Sequence, residues 1–332
     1  MSSPLNLGQV ADLTDRSIQK IFQKEAENEL QLKQYYNYRT TDERYEKDSS
    51  ISGLKEAEFT SENAEIYEDT PIQGYDKTYE QTAVDIIVPF SYRVWKFGIK
   101  KRNLTNIAKS INNALNRKKE KLAAERITNG LSTSYTHQGI SQNSTITITG
   151  GDSLEPFTTA HTREDGGTNM NNVVYDGTTY SLPFDYAGYK AADRTASLFV
   201  DPRGNPMSAT MDTLLCKKGS SVAHKAREIL GAIKKGKISE SNDNDGSALP
   251  AFKMIENEFL TQDAYWAMFD SSTALSDEYG FQHIESEANN LDPVNVVYKT
   301  REMQFGGHTM FQQGHNDVAR SWLFSAGDSS ST

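Results

Sequence analysis

Residues 41–80 cannot build a core of their own, and this constrains the rest of the chain. Twelve acidic residues face four basic ones there, a balance of -8, and apolar residues are sparse and scattered. Like charges at that density extend a chain rather than collapse it. The next stretch, TAVDIIVPFSYRVWKFG at 82–98, is rich in Val, Ile, Tyr and Phe and reads as strand. An acidic arm feeding strong β sequence predicts an extended excursion, a two-stranded flap with its turn near PIQGYDK at 71–77. Such a flap needs a surface outside itself to cover it.

Residues 99–131 carry the clearest helical pattern. Leu104, Ala108, Ile111, Leu115 and Leu122 recur at three- and four-residue steps, and Gly130 fits a C-terminal stop. Nine Lys and Arg against two Glu give this segment +7. At 1.5 Å per residue the helix runs to roughly 45–50 Å, and a stripe that long requires a neighbour.

The remaining segments alternate. Residues 5–36 have helical spacing (Leu13, Ile18, Ile21, Phe22, Ala26, Leu30, Leu32) and end in the aromatic patch YYNY. Residues 132–180 are rich in Ser, Thr, Gly and Asn, with a strand-like STITIT at 144–149. Helical pattern returns at 185–200. DPRGNP at 201–206 is a strong turn signal, MDTLLC at 211–216 a short buried strand, and SSVAHKAREILGAI at 220–233 a helix with a serine cap. SNDNDGSALP at 241–250 reads as loop. There is no internal repeat, and the mixture predicts an α+β fold.

Composition narrows the function classes. A net charge of -10 and a pI near 5.2 argue against a generic nucleic-acid coat, which needs clustered Lys and Arg. The single cysteine, Cys216, permits no intramolecular disulfide or thiolate metal cage, and its apolar setting predicts a small buried hydrophobe. The most apolar run, VDIIVPF at 84–90, is far too short to span a bilayer. The start lacks a basic lead and an apolar core, so the expectation is folding in a cytoplasm, with the triplets at Asn103 and Asn143 chance matches to a glycosylation signal.

Sites for chemistry are few. GAIKKGKI at 231–238 nearly spells a phosphate-binding loop, but Ile238 replaces the Ser or Thr that holds magnesium, and the match sits at a helix end. The plain reading is a lysine-rich terminus complementing the helix dipole. The six histidines form no zinc-ligand spacing, and no Gly-x-Ser-x-Gly or Gly-x-Gly-x-x-Gly occurs. There is one further candidate, FTTAHTREDGG at 157–167, where His161 with Glu164 and Asp165 could form a general base. No nucleophile motif accompanies it, and Gly166-Gly167 signal a turn.

The order of pieces resembles the major capsid protein of tailed bacteriophages, with the Hong Kong 97-type shell fold. In detail it is similar to the phage Mu-like major head subunit. GGDSLEPFTTAHTREDGGTN carries Phe157, His161, Gly166 and Gly167 in that branch's order. DPRGNPMSATMDTLLCKKGSSVAHKAREIL supplies Asp201, Gly204, Pro206, Thr213, Leu214, Leu215, Ala226, Ile229 and Leu230. FLTQDAYWAMFD, with Trp266, and the glycine-rich YKTREMQFGGHTMFQQGHNDVARSWLF complete the match.

The resemblance implies an α+β subunit with an N-terminal arm at 1–40 and an extended β flap at 41–98. A peripheral domain would use 99–185 and 291–326, with the spine helix at 99–131. An axial domain would use 186–290, and 327–332 would be a disordered tail. It implies self-assembly as pentamers and hexamers into an icosahedral head shell in the virion, assembled in the bacterial host cytoplasm around dsDNA that is contacted non-specifically. No cofactor, metal, membrane or catalysis is implied. Scaffolding, portal and decoration proteins are the implied partners; no long charged pro-region leads the chain, which implies a separate scaffolding protein or none. An encapsulin-like nanocompartment shares the fold and is the alternative; an enzyme using His161, Glu164 and Asp165 is a second. The expected intersubunit contacts join flap acids Glu65, Glu68 and Asp69 to Arg117, Lys118, Lys119 or Lys121 of the next subunit. The competing reading is a basic face turned to DNA. Some relatives link a flap lysine covalently to an asparagine, for which Lys77 is the candidate; a solvated turn lysine is its plain reading.

Overall fold

The computed structural model describes residues 30–91, 101–140, 143–235, 250–293, 295–297, 299–300 and 302–328, with backbone alone at 101–105 and 232–235. Its larger sheet is organised around one long strand, β12 (Glu302–His315). Along one edge of β12 runs β4 (Thr82–Ser91), antiparallel, from Ser91 opposite Glu302 to Thr82 opposite Phe311. The other edge takes β11 (Asn295–Val297) and then β10 (Phe281–Leu291), and β1 (Asn37–Thr40) adds parallel to β10. Helix α1 (Lys101–Thr128) lies across one face. The alternation in 82–91 explains the docking: Val84, Ile86, Val88 and Phe90, at steps of two, turn toward Ala108, Ile111 and Leu115 of the helix. A Cβ at Gly307 would stand 2.4 Å from Cγ2 of Ile111, so glycine permits the close approach of helix and strand.

The smaller sheet has the order β13 (Trp322–Ser325), β9 (Trp266–Phe269), β7 (Thr213–Lys217), β8 (Lys253–Asn257). Every residue of β9 and β13 is buried, which is why these strands read as continuous rather than alternating runs. One face packs Leu215, Phe269, Trp322 and Phe324 against Tyr35, Tyr36, Phe157 and Phe281. The other packs Leu214, Cys216, Trp266 and Met268 against α2 (Tyr186–Ala196) and α3 (Ser221–Lys235). Asp185 caps α2 through the Gly188 amide at 2.7 Å, and Ser220 accepts from the Ala223 amide at the start of α3. A third pairing joins β5 (Ser134–His137) to β6 (Ser144–Thr147), the latter being the strand expected at STITIT.

The α+β reading holds, with corrections at particular elements. The flap hairpin is β2 (Tyr45–Ile51) with β3 (Gln73–Glu80), joined by residues 52–72. Residues 73–77, read as turn, are strand, because β3 pairs with β2 from Gln73 onward. Strand β4 leaves the hairpin for the larger sheet, where its apolar face is buried by α1. Strand β10, which begins within 186–290, also belongs to that sheet. The helical reading of 5–36 lies outside the described residues up to 29; from residue 30 the chain makes a short 3₁₀ turn, Gln31–Gln34, and then buries Tyr35 and Tyr36 fully. Most of 241–250, the end of the near phosphate loop at 236–238 and the tail beyond 328 also lie outside them.

Candidate intersubunit surface

Among the described residues, 53–68 of the flap connector form a continuous exposed run. Leu54, Phe59, Ile66 and Tyr67 are all exposed, Phe59 completely. Glu65 and Glu68 are exposed beside them. Exposed aromatic and aliphatic side chains are thus spaced along one extended segment, rimmed by acids.

Asp69, the third flap acid, is engaged within the chain. Its carboxylate pairs with Arg203 and accepts from the Lys55 amide at 2.8 Å. Those two hydrogen bonds are the leading causes that hold its carboxyl below the usual range. Lys77 lies in β3 opposite Asp48, and its Nζ donates to the Thr149 carbonyl at 2.7 Å. It is half-buried at the flap's base, and burial pushes its amine below the ordinary lysine value.

The four candidate basic residues of α1 have four different surroundings. Arg117 is exposed. Lys121 is 42% exposed and reaches Glu125, one turn on, at 3.6 Å. Lys118 is half-buried; its Nζ lies 2.6 Å from Nε2 of His137, whose other ring nitrogen contacts Glu125. Lys119 does not belong to any exposed basic face. It is 2% exposed, pairs with the equally buried Glu285 of β10, and lies over the Phe311 ring. Burial pushes its amine down to about 7 and the Glu285 carboxyl up to about 7. Helical position explains this: Lys119 follows Ile111 and Leu115 on the apolar stripe at four-residue steps and so points into the sheet.

The loop at 157–167 is held as a structural element. His161 Nδ1 lies 2.7 Å from Asp152, and its backbone bridges Met170 in both directions at 2.8 Å. Glu164 is buried against Arg320 at 3.2 Å, while Asp165 pairs with Arg163 and accepts from the Gly167 amide. The three groups that could have formed a general base therefore each have a separate partner. Gly166 has φ +71°, the left-handed value the glycine pair anticipated. Cys216 is buried in β7, and burial pushes its thiol up to about 12. Among the described residues, no group of three His, Cys, Asp or Glu could hold a metal ion.

Two pairing partners of the candidate residues had no signal in the sequence. Glu285 sits in FQHIESEANN, which looks solvent-facing, and Arg203 looks like an ordinary turn residue. Only the pairing of β10 beside β12 and the approach of the flap to the 201–206 turn reveal them.

No protein-family model matches the chain, and no curated protein matches it by sequence. Solved structures do. The chain is similar to the capsid of an empty GTA particle, with TM-score 0.54 and 12% identity over 89% of each chain. It is similar to a structure from Mycobacterium phage Cain, with TM-score 0.51 and 12% identity over 91% of each. The capsid of cyanophage P-SCSP1u gives TM-score 0.50 and 9% identity over 89% of this chain and 86% of the other. The narrower Mu-like resemblance rests on the sequence motifs alone. At the level of fold, the chain is built as phage capsid subunits are.

Proposed function

We propose that the chain is the major capsid protein of a tailed phage, self-assembling as pentamers and hexamers into the icosahedral shell that encloses a dsDNA genome. The observation that carries this is the flap connector. It projects Leu54, Phe59, Ile66 and Tyr67 into solvent on a chain whose fold is that of capsid subunits. A free subunit exposes that surface; a shell covers it. The role is structural, and the 157–167 loop shapes the subunit rather than acting on a substrate.

Within this reading Glu65 and Glu68 meet Arg117, Lys118 and Lys121 of the next subunit. Lys119 is left out by its burial, and Asp69 by its partner in the same chain. Any one exposed pair contributes only about 0–1 kcal/mol, but repetition at every contact steers assembly and register. Scaffolding, portal and decoration proteins would complete the particle, which places the chain in the virion.

Negative-stain microscopy of the purified chain tests the proposal. Rings or closed shells are expected. A monodisperse monomer at high concentration, with residues 52–72 resistant to protease, would overturn it.

A further inference from the structure

We propose that the flap is latched at its neck to its own subunit by a polar clasp built on the 201–206 turn, and that this clasp presents the 54–68 segment, already oriented, to a neighbouring copy. The inference rests on the shell reading only for the identity of that neighbour.

The neck is where the two arms of the connector come together. Ser52 and Ile72 close it with two hydrogen bonds, the Ser52 amide to the Ile72 carbonyl at 2.9 Å and the Ile72 amide to Oγ of Ser52 at 2.8 Å. One step further out, Asp69 joins three segments. One carboxylate oxygen accepts from the Lys55 amide on the outgoing arm, and the other pairs with Arg203. Arg203 also reaches the Thr70 carbonyl at 3.4 Å, and the Asn205 side-chain amide donates to the Leu54 carbonyl at 3.3 Å. Both arms are thus tied to the same turn.

That turn is closed by its own hydrogen bonds, independently of the flap. Asp201 accepts from the Arg203 and Asn205 amides, each at 2.8 Å, and from Nδ2 of Asn205 at 2.7 Å. Gly204 has φ +89°, a conformation that disfavours any side chain. The space a Cβ there would need is filled by Arg163, whose Nη2 would stand 2.4 Å away. Arg163 is in turn fixed by Asp165. The two motifs that stood out as turns, DPRGNP and HTREDGG, therefore meet behind the flap. They hold an arginine whose side chain is only 5% exposed with its charge aimed at the neck. A buried guanidinium needs a carboxylate, and among the described residues the one that pairs with it is Asp69.

The consequence for assembly is entropic. A connector tied only at its ends would have to be ordered when a neighbour binds it, and that cost would be taken from the contact energy. With both arms clamped, only 54–68 remains to be ordered.

Hydrogen exchange on the dispersed full chain tests the clasp. In Arg203→Glu the amides of Lys55 and Ile72 should exchange about tenfold faster, the loss expected for a charged hydrogen bond, while near-UV circular dichroism is unchanged. Asp69→Ala should give the same acceleration and serves if the Arg203 variant does not fold. The double variant Asp69→Arg, Arg203→Glu should restore protection of the Ile72 amide within one chain, while the Lys55 amide, which loses its Asp69 acceptor, stays fast. An equimolar mixture of Asp69→Arg and Arg203→Glu subunits should not restore it. Unchanged exchange in a folded single variant, or rescue by the mixture, overturns the proposal, the latter by showing that the pairing runs between copies. Because the readout is on dispersed subunits, a chain that forms no shell can still show the clasp, and a shell-forming chain can still lack it.

Discussion

The spine helix and the flap carry opposite charge in similar amount, +7 over 99–131 and -8 over 41–80, and the fold treats them in opposite ways. Among the described residues, three of the helix's charged side chains are turned inward. Lys119 pairs with Glu285, Glu120 accepts from the Leu32 amide at 3.0 Å, and Arg126 is buried. In the flap connector Glu56, Glu58, Glu62, Glu65 and Glu68 are all exposed. Net charge along a segment therefore does not say where it is neutralised. Desolvated pairs on the helix join it to its own sheet, whereas solvated acids on the flap leave it available to another molecule.

Breaking the helix side of this comparison should have the largest effect. Lys119→Met leaves Glu285 buried without its cation and should cost about 3–5 kcal/mol in urea unfolding. The double variant Lys119→Met, Glu285→Leu should recover most of that loss, since an apolar pair needs no desolvation. A double variant no more stable than the single would show that the two groups do not act as a pair.

The second test is acid. His283 stacks between Tyr38 and Phe311, with centroids 5.1 and 5.2 Å away. Burial, then the nearby Lys119 charge, pushes its imidazole down to about 3. The unfolded chain takes up this proton near 6.5 and the folded one only near 3, so stability is lost as pH falls through that window. The scale is about 1.4 kcal/mol for each pKa unit of difference, less what relaxation recovers. His283→Phe should flatten the decline in urea midpoint between about pH 7 and pH 4.5. His315, also buried and held neutral, will keep part of it. An unchanged pH dependence in the variant would remove His283 as a source.

The flap should show the smallest effect on stability. Glu65→Lys with Glu68→Lys should move unfolding by no more than about 0.5 kcal/mol, yet impair particle formation by light scattering. Adding Arg117→Glu should restore some assembly. Normal assembly of the double variant would end the role given to these acids and leave the clasp and the apolar connector to hold the flap.

Several elements were legible in the sequence because their signal is local. The helix at Lys101–Thr128, the helices after Asp185 and Ser220, the strand at Thr213–Lys217 and the left-handed Gly166 follow from periodicity, capping and backbone sterics. The flap's turn was misplaced for an equally local reason. PIQGYDK has turn composition, but strand pairing from Gln73 to Glu80 outweighs it. The lysine cluster at 117–121 could not be sorted, because adjacent lysines are alike in composition and differ only by about 100° of helical rotation.

By itself the sequence determined that residues 41–80 could not bury themselves. A strongly acidic, apolar-poor stretch next to strand-forming residues has no core to join, whatever the remainder does. Which charges would be used inside the subunit and which left exposed was decided only by tertiary structure. Glu285 meets Lys119, and Asp69 meets Arg203, across 166 and 134 residues of chain. Coulomb attraction and desolvation depend on distance and burial, and neither quantity exists for such a pair until the sheet and the flap have been put in place.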